Sequence, residues 1–413
     1  MRKIVVLHAD VSEIGGAELL MAEQARYLRD RGHAVRVCAL RATGTAWQRV
    51  LGDLHIEVLA DPPKLERLNT PARMAPLLSV ARRALAEAEV VLAHNFPTAP
   101  IAARSAPPGA RTVWYCHEPY RALHPEATYP AAAARSARGG GDDGPTRQFA
   151  RRARRRAVAG WLLPWTRVRR RALAAWDAEG VAALDAVMAN SAFSAAMLRA
   201  ALGREADAIV PPVVTMPTLD PDALRTRRSV DRRAPQLLAQ TRLGVPKNLD
   251  MLIRAVALLR ATHPGVHLHI AGDGAQRQPL ESLARAVAPD AVTFHGYVSR
   301  ERMDALAAAC DVFALVPVDE PFGMVFPEAA ARGLLLVGPD HGGPLEILGR
   351  GQFGAVCDAF SPAAVAQAIR DLLARDDAAL AALRVQAATA MHERYAASVV
   401  LPNFERWVLG ASA

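Results

Sequence analysis

The clearest chemical pattern is a pair of glutamates, Glu320 and Glu328, that enclose the run EPFGMVFPE. An apolar run at 312–316 predicts a buried strand that leads into it, and the proline before Glu328 suits the first turn of a helix. Both carboxylates would then lie at the carboxyl end of a parallel strand, where open α/β sheets bind ligands. Carboxylates accept hydrogen bonds from neighbouring hydroxyls, and Phe322 and Gly323 offer backbone N–H donors. The pattern therefore favours recognition of a ribose or a hexose.

Two cations, Arg242 and Lys247, precede this run in the same half of the chain. They follow an apolar run that predicts the strand opening that half. Two fixed positive charges can neutralise negative charge that develops on a bound ligand during a reaction. Taken alone, such a pair is more often a solvated surface feature. The rarity of lysine, with only Lys3 and Lys64 elsewhere, and the two glutamates downstream favour a functional role for this pair.

Glycines near predicted strand ends give weaker signals. The GDG turn at Gly272 follows a strand, and such a turn more often shapes the wall of a site than cradles a phosphate. The pair Gly342-Gly343 precedes a helix whose free N–H groups suit a phosphate or sugar oxygen. The pair Gly15-Gly16 opens the first helix, and it is read equally well as a tight turn or as a binding loop.

Two histidines, His94 and His117, each end a predicted strand in the first half. A lone histidine is usually structural. The proline-punctuated loop after His117 favours a functional role for this residue, and His94 is the weaker candidate.

The elements that must position these residues form two series. Short apolar runs alternate with helical periodicity, which is typical of parallel sheets covered by helices. The predicted strands are 4–7, 34–40, 90–93, 112–115, 186–189, 237–240, 266–271, 292–294, 312–316 and 334–337. We therefore expect an α/β protein with two doubly wound, Rossmann-like domains facing across a cleft.

The domain boundaries follow from composition. A segment rich in Pro, Asp and Arg separates the two series, and it predicts a linker at 213–235 between domains 1–212 and 236–395. A low-complexity, basic stretch at about 131–171 is expected to be an insertion in the first domain. The last segment, 396–413, is amphipathic and is expected to form a helix that packs back across the first domain.

With two glutamates eight positions apart around a Phe-Gly step, the sequence resembles the family-4 retaining glycosyltransferases, which are group 1 enzymes of the GT-B fold. The resemblance is strong over about 236–350 and weaker over 1–120. It implies that Glu320 faces the donor sugar, that Glu328 binds the ribose diol, and that Arg242 and Lys247 hold the donor diphosphate. It also implies an acceptor-binding first domain and a donor-binding second domain.

The resemblance assigns further residues. It places Gly15 and Gly16 against the donor phosphates, His117 against the donor sugar, and Tyr297 and Val298 beside the nucleobase. The expected catalytic residues are His117, Glu320, Arg242 and Lys247. The expected donor-binding residues are Gly15, Gly16, Arg242, Lys247, Gly272, Tyr297, Val298, Glu320, Phe322, Gly323, Met324, Val325 and Glu328. Thr241 and Asn248 depart from the family, which often has glycine at both positions, and neither departure removes a cation.

The implied reaction is transfer of a hexose from a nucleotide diphosphate sugar to an acceptor hydroxyl of a glycan or lipid-linked acceptor, with retention of configuration. The family pattern offers no agreed nucleophile, so the departing phosphate oxygen is expected to take the acceptor proton. The runs YCHEP and GGPLE look most like mannosyltransferases of surface-polysaccharide pathways. They favour GDP-mannose as donor and leave UDP-sugars open.

No cofactor and no metal are expected. The nominal DxD match, Asp220-Pro221-Asp222, follows no strand and is read as a turn, and the four cysteines are scattered without zinc-ligand spacing. No apolar run approaches the ~18 residues needed to cross a bilayer. Because the opening apolar run is shorter than a signal peptide and reads as a strand, a cytoplasmic location is expected.

The net charge of +9 is concentrated in one segment, since residues 135–171 hold twelve arginines and two aspartates. With Trp161 and Trp165, the part from Arg147 to Arg171 predicts reversible binding to an anionic membrane surface. Two alternatives remain. One is a nucleotide-sugar epimerase of the same fold, and the other is a non-catalytic nucleic-acid-binding protein using the same arginines, although no nucleic-acid reading motif is present.

Overall fold

The computed structural model describes residues 1–12, 15–60, 70–137 and 164–410. The chain divides into two compact units. The first unit comprises Met1–Thr128, Arg154–Val213 and Ala397–Ala413, and the second comprises Tyr129–Ala153 and Val214–Ala396.

Each unit is built on one parallel sheet. The strands are β1 (Lys3–Asp10), β2 (Ala34–Arg41), β3 (Ile56–Val58), β4 (Val90–His94), β5 (Arg111–Cys116), β6 (Ala186–Ala189), β7 (Ala208–Ile209), β8 (Gln236–Gln240), β9 (His267–Ala271), β10 (Val292–Gly296), β11 (Val312–Ala314), β12 (Leu335–Pro339) and β13 (Ala355–Cys357). The first sheet has the order β3-β2-β1-β4-β5-β6-β7, and the second has the order β10-β9-β8-β11-β12-β13. Both are the doubly wound order, in which the first strand of each unit lies beside the fourth.

Helices connect the strands. In chain order they are α1 (Gly16–Asp30), α2 (Ala46–Leu51), α3 (Pro71–Leu85), α4 (Thr98–Ser105), α5 (Pro125–Thr128), α6 (Pro130–Ala137), α7 (Pro164–Ala182), α8 (Ala192–Leu202), α9 (Pro221–Arg225), α10 (Leu249–Leu259), α11 (Arg277–Val287), α12 (Arg300–Ala309), α13 (Val325–Ala331), α14 (Gly342–Ile347), α15 (Pro362–Leu373), α16 (Asp377–Tyr395) and α17 (Ala397–Leu409), with 3₁₀ turns at Val245–Lys247 and Gly349–Gly351. Within the described ranges, no helix is both long and apolar enough to span a bilayer.

The sequence predicted the α/β architecture correctly. Every predicted strand is present, because strands buried on both faces read as continuous apolar runs; six consecutive residues of β1 are buried. The strands it missed are β3, β7 and β13, which have two or three residues each. Such short strands carry no periodicity.

The expected linker at 213–235 is packed on the second unit. Val214 and Val230 are buried in the core of that unit. Arg227 donates to the carbonyls of Ala307 and Cys310 at the end of α12. These contacts satisfy carbonyls that have no partner inside the helix, so Arg227 of the expected linker caps α12.

The expected insertion also differs from its prediction. Its first part, α6, belongs to the second unit, whereas α7 belongs to the first. The last helix, α17, belongs to the first unit, where Phe404 and Val408 are fully buried. Its Glu405 accepts a hydrogen bond from Tyr27 at 3.1 Å, which holds α17 against α1.

Candidate functional site

The second unit brings a lysine and a glutamate together at the carboxyl edge of its sheet. The 3₁₀ turn after β8 ends at Lys247, and Glu320 lies in the loop after β11. The Lys247 Nζ lies 2.6 Å from Glu320 Oε2, and the side chains are 29% and 20% exposed. The sequence assigned these residues to one site, and the structure places them in direct contact.

The loop that carries Glu320 is held by close backbone packing. The Gly343 N–H donates to the Glu320 carbonyl at 2.8 Å. A Cβ at Gly343 would lie 2.4 Å from the Pro321 carbonyl oxygen, and one at Gly342 would lie 2.9 Å from the Glu320 oxygen. The glycine pair is therefore required for this approach. The Gly343 N–H is used inside the protein, so it is not among the free N–H groups that the sequence predicts for a phosphate or sugar oxygen.

Glu328 lies on the next helix, α13. This helix begins at Val325, two residues before the expected proline, and Glu328 is in its first turn. Burial raises the pKa of the Glu328 carboxyl, whereas Arg332 and a hydrogen bond from Gln240 oppose this shift. Gln240 is the last residue of β8, so Glu328 lies near the strand that leads to the two cations.

The residues between the two glutamates shape this turn. Gly323 has a φ of +97°, which favours glycine. Phe322 is buried and packs edge-on against Tyr395 at 5.2 Å. Met324 and Val325 are half-buried against the core of the unit. These residues fix the path of the chain from Glu320 to Glu328.

Arg242 is exposed in the loop after β8. The GDG turn packs directly on this loop, since a Cβ at Gly272 would lie 1.9 Å from the Thr241 carbonyl oxygen. The Leu243 N–H also donates to the Asp273 carbonyl at 2.8 Å. The turn thus shapes the loop that presents Arg242.

Asn248 shows why glycine is common at its position in the family. Its φ of +59° is left-handed, a conformation that glycine adopts freely and asparagine tolerates. The buried amide donates to the carbonyls of Val316 and Ala359 at 2.8 and 2.7 Å. This departure from the family therefore links the Lys247 turn to the chain after β11.

The expected nucleobase residues follow β10. Tyr297 is 82% exposed, and Val298 is half-buried against the core of the second unit. The preceding Gly296 accepts from the Gly272 N–H at 2.8 Å, so both turns share one edge of the sheet.

The first unit gathers histidines at the carboxyl edge of its own sheet. His8 of β1 and His94 of β4 are paired in register, and His117 directly follows β5. The His94 Nδ1 lies 3.2 Å from His117 Nε2, and the Asn95 Nδ2 lies 3.2 Å from His8 Nε2. His94 was predicted as the weaker candidate, yet it contacts His117 directly.

Burial keeps these imidazoles neutral. It lowers the pKa of His8 to about 4 and that of His117 to about 3, and it holds the pKa of His94 well below its ordinary value. The His117 carbonyl accepts from Asn190 at 3.0 Å and from Ser194 at 3.1 Å. His117 is therefore a fixed, neutral hydrogen-bonding group.

Gly15 precedes α1 in extended conformation, with a φ of −132°. Its N–H donates to the Glu18 carboxylate at 2.9 Å, which satisfies one donor at the helix start. The same carboxylate lies 3.5 Å from His8 Nε2. Gly16 is the first residue of the helix, and the contact through Glu18 joins the glycine pair to the histidine cluster.

Sequence reasoning missed several residues of these two edges. They are His8, Asn95 and Asn190 in the first unit, and Gln240 and Asp319 in the second. His8 carried a usable signal, because it lies near the carboxyl end of the first predicted strand. Within the described ranges, no group of three or more His, Cys, Asp or Glu side chains is arranged to hold a metal ion.

Comparisons with known proteins agree with this architecture. Residues 222–389 match the family Glycosyl transferases group 1, and residues 14–215 match Glycosyltransferase Family 4. The structure of Anabaena Alr3699/HepE in complex with UDP and glucose is similar over 100% of both chains, with a TM-score of 0.68 and 22% identity. The sucrose-phosphate synthase of Thermosynechococcus elongatus has a TM-score of 0.71 and 17% identity over 100% of both chains.

The fold is therefore the GT-B glycosyltransferase fold. The two family matches together span most of the chain, and the protein belongs to the group 1, family-4-like glycosyltransferases.

Curated relatives are similar over part of their length. The glycogen synthase of Mycobacterium tuberculosis strain H37Rv is 39% identical over 154 residues, 37% of either chain. The GDP-mannose-dependent alpha-(1-6)-phosphatidylinositol monomannoside mannosyltransferase of the same strain is 32% identical over 211 residues, 48% of this chain and 54% of that protein. The chain thus spans about half or less of the length of the curated relatives it matches.

Proposed function

We propose that the protein is a retaining glycosyltransferase that moves a hexose from a nucleotide diphosphate sugar to an acceptor hydroxyl in glycan or glycolipid synthesis. The observation that carries the proposal is the contact of Lys247 with Glu320 at 2.6 Å, with Glu328 on the following helix. A cation for the diphosphate, a carboxylate for the sugar and a second carboxylate for the ribose are what such a donor requires.

The proposed chemistry relies on charge and orientation. The bond between the anomeric carbon and the phosphate oxygen breaks, and a bond to the acceptor oxygen forms on the same face. The acceptor proton passes to the departing phosphate oxygen, so no enzyme nucleophile is needed. Lys247 and Arg242 stabilise the negative charge on the leaving diphosphate, while Glu320 orients the sugar. His117 Nε2 lies 3.2 Å from His94 Nδ1, so the other nitrogen of this neutral ring is the one proposed to hydrogen-bond to a sugar hydroxyl.

GDP-mannose is the favoured donor. Mannosyltransferases named as GDP-mannose-dependent, from Mycobacterium tuberculosis and Mycolicibacterium smegmatis, support this choice at 32% and 34% identity over parts of the chain. The HepE complexes with UDP and UDP-glucose keep a UDP-sugar as the second choice. No cofactor or metal is part of the proposal.

A panel of nucleotide sugars tests the proposal. GDP-mannose should raise the thermal transition more than UDP-glucose does, and it should give a product whose anomeric configuration, read by NMR, matches the donor. Chelation should leave turnover unchanged, and restoration by manganese after chelation would contradict the metal-free chemistry. Formation of an altered nucleotide sugar without acceptor would favour the epimerase alternative instead.

Attachment to an anionic membrane is a separate part of the proposal. Most of the predicted segment, including Arg151–Arg156 and Trp161, lies outside the described residues. Of the part that is described, Arg170 donates to the Leu123 carbonyl at 2.8 Å, so it serves the fold rather than a membrane. Co-sedimentation should require anionic vesicles and weaken with salt, and equal binding to neutral vesicles would contradict it.

A further inference from the structure

Asp319, the residue before Glu320, is a buried charge that the proposed chemistry does not use. Its side chain is fully buried, and its φ of +51° lies in the left-handed region. One carboxylate oxygen accepts from the Ala131 N–H and the other from the Ala132 N–H, both at 3.1 Å. These N–H groups belong to the first turn of α6, where backbone donors have no partner inside the helix and favour a negative charge.

A second set of contacts joins the other end of α6 to the same region. Arg135 pairs with Asp358 at 3.1 Å, and its guanidinium lies over the Phe360 ring at 5.6 Å. The His341 ring stacks on Phe360, with centroids 5.7 Å apart and an angle of 9° between the rings. The helix is thus connected through Phe360 to the residue that precedes the glycine turn.

The two sets of contacts meet at Glu320. Asp319 is its neighbour in the chain, and Gly343, in the turn after His341, donates to the Glu320 carbonyl at 2.8 Å. On the other side, the Val318 N–H donates to the Pro246 carbonyl at 2.8 Å, next to Lys247. The loop from Val318 to Glu320 is therefore fastened to α6, to the glycine turn and to the Lys247 turn.

Apolar packing supports the same arrangement. Tyr129, Ala132 and Val318 form a small buried cluster, with Phe360 packed against it. This cluster is separate from the main core of the second unit. Its burial stabilises the contact of α6 with the loop.

The chain reaches α6 directly from the first unit. That unit includes Thr128, the end of α5, and the second unit begins at Tyr129. The segment 129–137 is therefore joined covalently to the first unit and packed on the second, beside the proposed donor-sugar residue.

We propose that α6 is a positioning element for Glu320, and that Asp319 and Arg135 are the positioning residues through which it acts. The role of Glu320 rests on the proposed function, whereas the attachment of α6 does not. Because Glu320 and Lys247 contact each other, loosening the loop moves the sugar-facing carboxylate relative to the diphosphate cation. Glu328 and Arg242 are on other elements, so loosening α6 affects turnover more than nucleotide affinity, to which Lys247 also contributes.

Asp319→Asn tests this with a matched control, Asp220→Asn. An asparagine at 319 has one carbonyl oxygen, so its NH₂ group faces one of the two N–H donors that Asp319 binds with separate oxygens. Asp220 also accepts from two N–H groups, those of Asp222 and Ala223, but through the same oxygen. The control therefore keeps both hydrogen bonds. Arg135→Gln, at a side chain 39% exposed, is a second variant that does not disturb a buried group.

Two measurements apply to each variant: hydrogen exchange of peptides that cover 129–137 and 316–323, and kcat together with the dissociation constant of the nucleoside diphosphate. Asp319→Asn should speed exchange in both peptides and lower kcat roughly ten- to hundredfold, the range for a misplaced reacting group. Nucleotide affinity should fall much less than kcat does. Arg135→Gln should act in the same direction and more weakly, and Asp220→Asn should match the wild type.

Wild-type exchange and kcat in both Asp319→Asn and Arg135→Gln would overturn the inference, as would an equal loss in Asp220→Asn or a loss confined to nucleotide affinity. If no nucleotide sugar supports turnover, the proposed function fails, and the exchange data still decide whether α6 holds the loop.

Discussion

Replacing Lys247 with alanine tests whether its charge serves catalysis or only the stability of the fold. Its ion pair with Glu320 is 2.6 Å long between side chains that are 29% and 20% exposed. A partly exposed pair of this kind contributes about 0.2–1 kcal/mol to the free energy of unfolding. By contrast, loss of a charge donor to the transition state lowers turnover by about a hundred- to thousandfold, or about 2.7–4 kcal/mol. Lys247→Ala should therefore lose turnover far beyond its loss of stability.

The assay measures kcat at saturating nucleotide sugar and denaturant unfolding on the same preparation. Lys3→Ala is the matched control, because Lys3 pairs with Glu87 at 3.0 Å in the first unit and has no proposed part in the chemistry. It should leave kcat unchanged. Arg242→Ala should lose turnover as Lys247→Ala does.

Near-normal turnover in both Lys247→Ala and Arg242→Ala would refute the diphosphate assignment and place the donor site elsewhere. If the fraction of unfolded Lys247→Ala protein accounts for the whole fall in kcat, the catalytic role of Lys247 is refuted.

Two further predictions concern buried ionisable groups. Glu328→Gln should raise the free energy of unfolding at pH 7, because burial raises the pKa of the Glu328 carboxyl and the amide removes the cost of burying its charge. That gain in unfolding free energy should shrink as the pH falls toward the raised pKa. The same variant should bind the nucleotide more weakly in a titration, and unchanged affinity would argue against the ribose role. The wild type should lose stability between pH 7 and pH 5, because unfolded histidines take up protons near pH 6.5 whereas burial lowers the pKa of His8 to about 4. His8→Gln should lose less over this window in denaturant titrations, and an identical loss would contradict that account.

The sequence by itself determined the two-sheet fold, and it assigned Glu320, Glu328, Arg242 and Lys247 to one predicted site. Strands covered by helices on both faces must be apolar throughout, so their positions are readable from local composition. Glu320, Glu328, Arg242 and Lys247 were also readable, since each follows such a strand at a spacing that the resemblance recognises. The contact of Lys247 with Glu320 across the sheet edge follows from the parallel order of β8 and β11, which are neighbours.

Only the tertiary structure decided which polar groups form hydrogen bonds with each other. Asp319 and Asn248 bind backbone groups far away in sequence, and neither residue type signals such a partner. The Gly342-Gly343 pair was visible as a turn, yet its close approach to Glu320 depends on a second loop. Arg227, Arg228 and Arg232 resembled arginines of a linker because they donate to carbonyls at distant helix ends. A hydrogen bond needs a donor and an acceptor that the fold brings together. A local sequence pattern contains only one of these two groups.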